Sequence, residues 1–337
     1  MTVRKPVGIA VVGCGRIVHA HADAIAQQPD VARLVAFVDT DLALAQNMAA
    51  RYGAPHAFGS VAEALAHPEI EAVDLCLPIE AHGPVTIECL RGGRHVIVEK
   101  PMAQDAATAY AMNAAAKAAG RVLVVGQSRR HSSAVGYVRD NLASFGRLRS
   151  LQAAFCMYWD GPQVPWWAER TPEEGLVIPQ LGSHALDFVQ LIMGERPTTV
   201  YCQTHRWRDC WKAEDEVMML LTYPSGRLAT ALLSYNQRPF FERHFLLFDD
   251  CFVEVRDSKT VLVDDRVVLA PPEDDPDGEL ITNELFKNQL RDFVLAIEGR
   301  PSRSAFAPET AQQIEILDAA LASSLSGQPV QLGPLPA

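Results

Sequence analysis

A lysine set between a carboxylate and a proline, Glu99-Lys100-Pro101, follows directly on the apolar, β-branched run His95-Val96-Ile97-Val98. Such a run suits a buried strand better than a helix, so Lys100 is expected at a strand's carboxyl end. Ligands of open parallel α/β sheets gather at that edge, where an amine can take or give a proton. A surface ion pair with Glu99 is the plainer reading of the same residues. The second chemical feature is Gly13-Cys14-Gly15 followed by Arg16, Ile17 and Val18, which departs from the Gly-x-Gly-x-x-Gly fingerprint only at its third glycine. The first glycine permits a tight turn and the second lets the backbone approach a pyrophosphate, whose charge the free N–H groups of the following helix meet. Val18 implies slightly wider packing of helix on sheet. Asp39, followed by Thr40, closes the next apolar run. Its separation from the turn is near the ~20 residues expected of an acid that binds a ribose. Asp41 adds charge of the same sign and no arginine follows directly, which favours NAD over NADP.

The elements that must position these residues alternate. Val7–Val12 reads as a strand, Ile17–Gln28 as a helix, Leu34–Val38 as a strand, and Asp41–Tyr52 as a helix that Gly53 stops. Ser60 caps a short helix, Ala72–Leu77 is a strand, Glu80–Arg91 a helix, and then comes the strand that delivers Lys100. Asp105 caps an alanine-rich helix, and Arg121–Gly126 is the last strand of this half. The alternation predicts a doubly wound parallel sheet. After Gln127 the texture changes. Leu148–Trp159, Thr198–Trp207, Val217–Tyr223, Leu228–Asn236 and Arg243–Phe248 are strand-like, with turns at Pro224-Ser225-Gly226 and Asp249-Asp250. A large, mainly antiparallel open sheet is expected there, followed by an acidic loop at Pro271–Gly278 and two helices near Thr282–Ile297 and Pro308–Leu325.

A chain of 337 residues exceeds the size, about 250 to 300 residues, at which single cores stop growing. Two domains are expected, residues 1–127 for the dinucleotide and 128–337 for substrate and subunit contacts. The net charge of -11, with no basic stripe, argues against nucleic acid and anionic membrane as partners. Seven cysteines without a Cys-x-x-Cys motif read as reduced thiols of a cytoplasmic protein. Cys202, His205 and Cys210 lack a second ligand pair, so no metal is expected. The start resembles a signal peptide in its early positive charges, but it runs on into the glycine turn.

Together the motifs resemble the glucose-fructose oxidoreductase / inositol dehydrogenase / rhizopine catabolism (Gfo/Idh/MocA) family of NAD(P)-dependent oxidoreductases. They are Gly13-Cys14-Gly15-Arg16-Ile17 with His21, Leu77-Pro78 with His82, Glu99-Lys100-Pro101, Gly182, His184 and Asp187 within Gln180–Asp187, and the segment Phe293–Ser304. The resemblance implies a Rossmann domain followed by an α/β domain whose open sheet faces a partner subunit. It implies that Lys100 lies beside the nicotinamide and the reacting oxygen, that His184 takes or gives the proton, and that the Lys100–Pro101 bond is cis. It places His82 beside the cofactor. Where the family often has aspartate four residues before the histidine, this chain has Gln180. Glutamine can hydrogen-bond a hydroxyl but cannot carry its proton, which favours a Lys100–His184 pair over a three-residue relay.

The expected cofactor set is therefore Gly13, Cys14, Gly15, Arg16, Ile17, Asp39, Thr40, Leu77, Pro78, His82, Glu99, Lys100 and Gln127. Substrate contacts are expected from Lys100, Arg129, Trp167, Gln180 and His184, with Trp159 and Trp166 able to stack on a sugar ring or to pack a core. The activity expected is that of a dehydrogenase of a sugar, polyol or cyclitol in a homodimer or homotetramer. Two rivals share the fold: a regulatory protein that senses NAD or a sugar, and a glycoside-cleaving enzyme that retains its NAD.

Overall fold

Six short apolar runs, each followed by a segment of helical pattern, form a parallel sheet in the computed structural model, which describes residues 5–275 and 279–335. Residues 1–4 and the last three of the loop expected at Pro271–Gly278 lie outside the described residues. The first unit comprises residues 1–131 and 282–311. Its elements begin with β1 (Val7–Val12), α1 (Val18–Ala26), β2 (Ala32–Val38), α2 (Leu42–Tyr52), β3 (His56–Phe58) and α3 (Val61–Leu65). They continue with β4 (Ala72–Leu75), α4 (Ile79–Arg91), β5 (His95–Glu99), α5 (Ala106–Ala119) and β6 (Leu123–Gly126). Every residue of β1 is buried, as a central strand covered on both faces requires. Local signals set the helix ends. Asp41 accepts from the Ala43 and Leu44 amides at the start of α2, and Gly53 ends it in a left-handed conformation. Ser60 and Asp105 cap α3 and α5 in the same way.

The second unit, residues 132–281 and 312–337, holds α6 (Ser133–Asn141), β7 (Leu148–Tyr158), α7 (Pro165–Glu169), α8 (Val177–Met193), β8 (Thr199–His205), β9 (Glu216–Thr222) and β10 (Leu228–Ser234). Then follow β11 (Asn236–Phe248), β12 (Phe252–Arg256), β13 (Thr260–Val263) and β14 (Arg266–Leu269). The chain ends with α9 (Glu279–Ile297), β15 (Ala305–Phe306), α10 (Ala307–Ser326) and β16 (Val330–Gln331). Nine strands make the second sheet in the order β14-β13-β12-β11-β7-β10-β9-β8-β16. It is antiparallel except for β7 beside β10, a parallel pair. α8 packs on β7 and β10 and so covers one face. On the other face, cross-strand partners align Met218, Leu220, Leu228 and Leu247, all exposed.

Two features depart from the expected layout. The first sheet has seven strands in the order β15-β6-β5-β4-β1-β2-β3, because β15 returns from late in the chain and pairs antiparallel with β6. The boundary expected after Gln127 also differs from the division found, since residues 282–311 group with the first unit. The reason is the apolar stripe of α9. Leu290, Phe293 and Val294 recur at helical spacing and are buried in one core with Val7, Ile9, Ile25 and Phe37.

Candidate active site

Because β1, β2, β4, β5 and β6 run parallel, their carboxyl ends share one edge of the first sheet. That edge gathers the glycine turn after β1, Asp39 after β2, Leu77-Pro78 after β4, Lys100 after β5 and Gln127 after β6. Gly13 has φ of 94°, and a Cβ there would stand 2.4 Å from the Cys76 carbonyl oxygen, so only glycine fits. Gly15 has open space where a side chain would be, and Arg16, Ile17 and Thr40 are exposed around it. Asp39 braces this turn from the next strand. One carboxylate oxygen accepts the Cys14 amide at 2.8 Å and the other the Asp41 amide at 2.9 Å. Burial and the neighbouring Asp39 charge push the Cys14 thiol up to about 11. An open cradle at a helix start, with exposed residues along the turn, fits a dinucleotide pyrophosphate.

Lys100 is half-buried, and its bond to Pro101 is cis. Burial lowers its pKa from the ordinary 10.5, and the Arg129 cation acts in the same direction while the Glu99 anion opposes them. His82 is buried rather than open to a ligand. Its Nδ1 stands 2.8 Å from the Pro101 carbonyl oxygen and its Nε2 2.9 Å from that of Leu77, so it ties the Leu77 loop to the lysine loop. Gln127 is buried as well. Of the two arginines after β6, Arg130 turns inward to the Ser304 carbonyl and the Glu309 carboxylate, and Arg129 is half-buried near Lys100.

Glu99, expected among the cofactor contacts, is engaged inside the fold. Its Oε1 lies 3.0 Å from His21 Nε2, and its Oε2 accepts the Lys100 amide at 3.1 Å. The other ring nitrogen of His21 meets Asp74 at 2.8 Å. Burial would lower the His21 pKa, but the two carboxylates raise it to about 10. Burial would likewise raise that of Glu99, yet the His21 hydrogen bond and charge bring it below the ordinary carboxylate value.

The second unit presents Gln180, His184 and Asp187 on one face of α8, at spacings of four and three residues. His184 is half-buried and stacks on Phe155, with ring centroids 5.2 Å apart and planes 14° off parallel. Nothing on α8 caps its own start. Glu214, from the segment before β9, accepts the Leu176 and Ile178 amides at 2.8 and 2.9 Å and closes the helix from outside. Sequence reasoning missed Glu214 and the next residue, Asp215, which accepts the Trp207 and Arg208 amides. The signal was an acidic pair just before an apolar strand. Trp167 stacks on Tyr235 at 5.7 Å and has Trp159, Trp166 and Trp211 around it, so its ring is part of an aromatic cluster. Trp166, at 36% exposure, is the more open ring of that group.

Residues 7–127 match the family model described as "Oxidoreductase family, NAD-binding Rossmann fold", and residues 142–248 match the "GFO/IDH/MocA C-terminal domain". Among curated proteins, the chain is 32% identical over 136 residues to 4-carboxy-2-hydroxymuconate-6-semialdehyde dehydrogenase of Sphingobium sp., covering 40% of this chain and 43% of that one. It is 26% identical to inositol 2-dehydrogenase of Rhizobium meliloti, covering 96% and 97% of the two chains. For the first three curated relatives the match spans about half of their length, between 43% and 57%. The WlbA dehydrogenase of Bordetella pertussis, solved with NADH and UDP-GlcNAcA, superimposes with a TM-score of 0.85 at 25% identity over the whole of both chains. Among the described residues no helix is long and apolar enough to cross a membrane.

Proposed function

Since the chain belongs to the Gfo/Idh/MocA family of NAD-binding oxidoreductases, we propose that it is an NAD-dependent dehydrogenase of a hydroxyl-bearing carbon in a sugar, polyol or cyclitol. The observation that carries this reading is Lys100, half-buried at the carboxyl end of β5 on the edge that also bears the glycine turn and Asp39. NAD bound at that edge supplies the acceptor for the hydride of an alcohol C–H. Gly13, Gly15 and the start of α1 hold the pyrophosphate, and Asp39 accepts from the ribose hydroxyls while its charge disfavours a 2′-phosphate.

Lys100, as the free amine, takes the hydroxyl proton as the carbon is oxidised. Burial and Arg129 favour that form, so the rise of turnover with pH is expected to have its midpoint below 10.5. His184 passes the proton onward, and Gln180 orients a substrate hydroxyl without taking its proton. Arg129 and the tryptophans of the second unit would line the substrate, with Trp166 the ring open enough to stack on a sugar. The exposed Met218, Leu220, Leu228 and Leu247 share a sheet face that a second copy of the chain would cover, giving a dimer or a tetramer.

The activity is tested by incubating the protein and NAD with a panel of sugars, polyols and cyclitols and following NADH absorbance. Sustained NADH formation with one chemical group of the panel is the expected outcome. Tight NAD binding without its reduction by any member would favour a sensor, and sugar release from glycosides without net NADH would favour the NAD-retaining cleavage enzyme.

A further inference from the structure

His21 sits on α1, one helical turn past the dinucleotide turn, with its side chain almost wholly buried. Both ring nitrogens face carboxylates, Asp74 of β4 at 2.8 Å and Glu99 of β5 at 3.0 Å. Ionised carboxylates only accept, so the ring must donate from both nitrogens and carry a positive charge. The edge of the Phe286 ring, 5.1 Å away by centroid, packs against it. The second oxygen of Glu99 holds the Lys100 amide. Room for this carboxylate comes from the neighbouring strand, where Gly126 stands opposite Glu99 and a Cβ would lie 2.6 Å from Oε1. A chain of hydrogen bonds thus runs from β4 through α1 to the peptide that carries Lys100.

Stability alone is a poor reason for such a cluster. Buried ion groups can often be replaced by well-packed apolar residues with no loss, and the flanking positions Val96, Ile97, Val98, Val124 and Val125 are apolar and buried. The cluster instead lies under the residue on which the proposed chemistry turns. Among the described residues of the first unit, Glu99 of its own strand and Arg129 of the turn after β6 bear on the Lys100 amine. His21 and Asp74 lie behind Glu99.

We propose that His21 and Glu99 are positioning residues for Lys100: His21, clasped by Asp74, holds the Glu99 carboxylate against the Lys100 amide, which fixes where the side chain leaves the strand and which charge its amine faces. The inference rests on the reading of Lys100 as the proton-handling group. Replacing His21 would strand two buried carboxylates, and such a variant can fail to fold. Glu99→Gln and Asp74→Asn avoid that problem. In Glu99→Gln the amide oxygen still accepts from Lys100, the amide nitrogen donates to a neutral His21, and His21 still donates to Asp74. In Asp74→Asn the amide oxygen still accepts from His21, and Glu99 keeps its charge. Each variant neutralises one carboxylate of the same clasp, so a merely structural role predicts that both behave alike.

The test labels Lys100 competitively with acetic anhydride across the alkaline range, in full-length protein saturated with NADH, and reads its acetylation by mass spectrometry. In Glu99→Gln the pH midpoint of Lys100 reactivity should fall by about one unit, the lower end of the effect of an opposite charge nearby. In Asp74→Asn it should stay within a few tenths of the parent. Equal midpoints in the two variants, or no shift in Glu99→Gln, would overturn the positioning role. Turnover of Lys100→Ala on the best substrate of the panel separates the two claims. Full turnover there would remove the premise, whereas lost turnover together with equal midpoints would remove the positioning role alone.

Discussion

The two units present their candidate functional residues by different means. In the first, the glycine turn, Asp39, Leu77, Lys100 and Gln127 each follow a strand, and the parallel sheet brings these five chain segments to one edge. Charges are then locked beneath that edge by His21, Asp74 and Glu99. In the second, Gln180 and His184 stand on a single helix, whose start is closed by Glu214 from a distant segment and whose neighbours are rings. Residues of the first group are thus placed by topology and backbone, whereas those of the second depend on how one helix is held. On the proposed reading, substrate preference can therefore change in the second unit with the dinucleotide edge left intact.

Variants that touch one unit at a time separate the two cases. His184→Ala should lower turnover by about 10²- to 10³-fold, the range for loss of a positioned acid–base group. NADH affinity, measured by fluorescence titration, should stay unchanged, and a large loss of that affinity would contradict the separation of roles. Asp39→Ala should act in the opposite sense. Loss of a charged hydrogen-bond acceptor to the ribose is worth about 1.5 to 3 kcal/mol, or roughly a 10- to 100-fold rise in the NADH dissociation constant, with a narrower preference over NADPH. Part of that loss comes from the freed Cys14 amide, which Asp39 holds in the turn. The smallest effect on chemistry is expected from Leu247→Glu, at 45% exposure on the open sheet face. Light scattering should show a lower mass for this variant, with NADH affinity kept. An unchanged mass would place the subunit contact elsewhere.

How much of this could be read in the sequence follows the same division. The places of Gly13, Asp39 and Lys100 were legible because each lies beside its own strand, and a parallel sheet gathers strand ends without further information. The cap residues Asp41, Ser60 and Asp105 were legible for the same local reason. The His21 clasp joins residues 53 and 78 positions apart, and Glu214 reaches amides 36 and 38 positions away. No local pattern encodes such pairs. Glu99 and His82 were expected beside the cofactor, since motif membership marks a residue as belonging to a site without telling whether it faces the ligand or the fold. Both have their polar atoms on protein partners. Trp167 was similarly ambiguous until its ring was found among four other aromatic side chains.

On the proposed reading Lys100 handles the substrate proton, and its loss leaves most of the cofactor contacts in place. Lys100→Ala measures it directly, by NADH titration and turnover on the same preparation. The dissociation constant for NADH is expected within about threefold of the parent and turnover lower by about 10³-fold, within the range of general acid–base catalysis. Turnover close to that of the parent, with NADH bound as before, would contradict it.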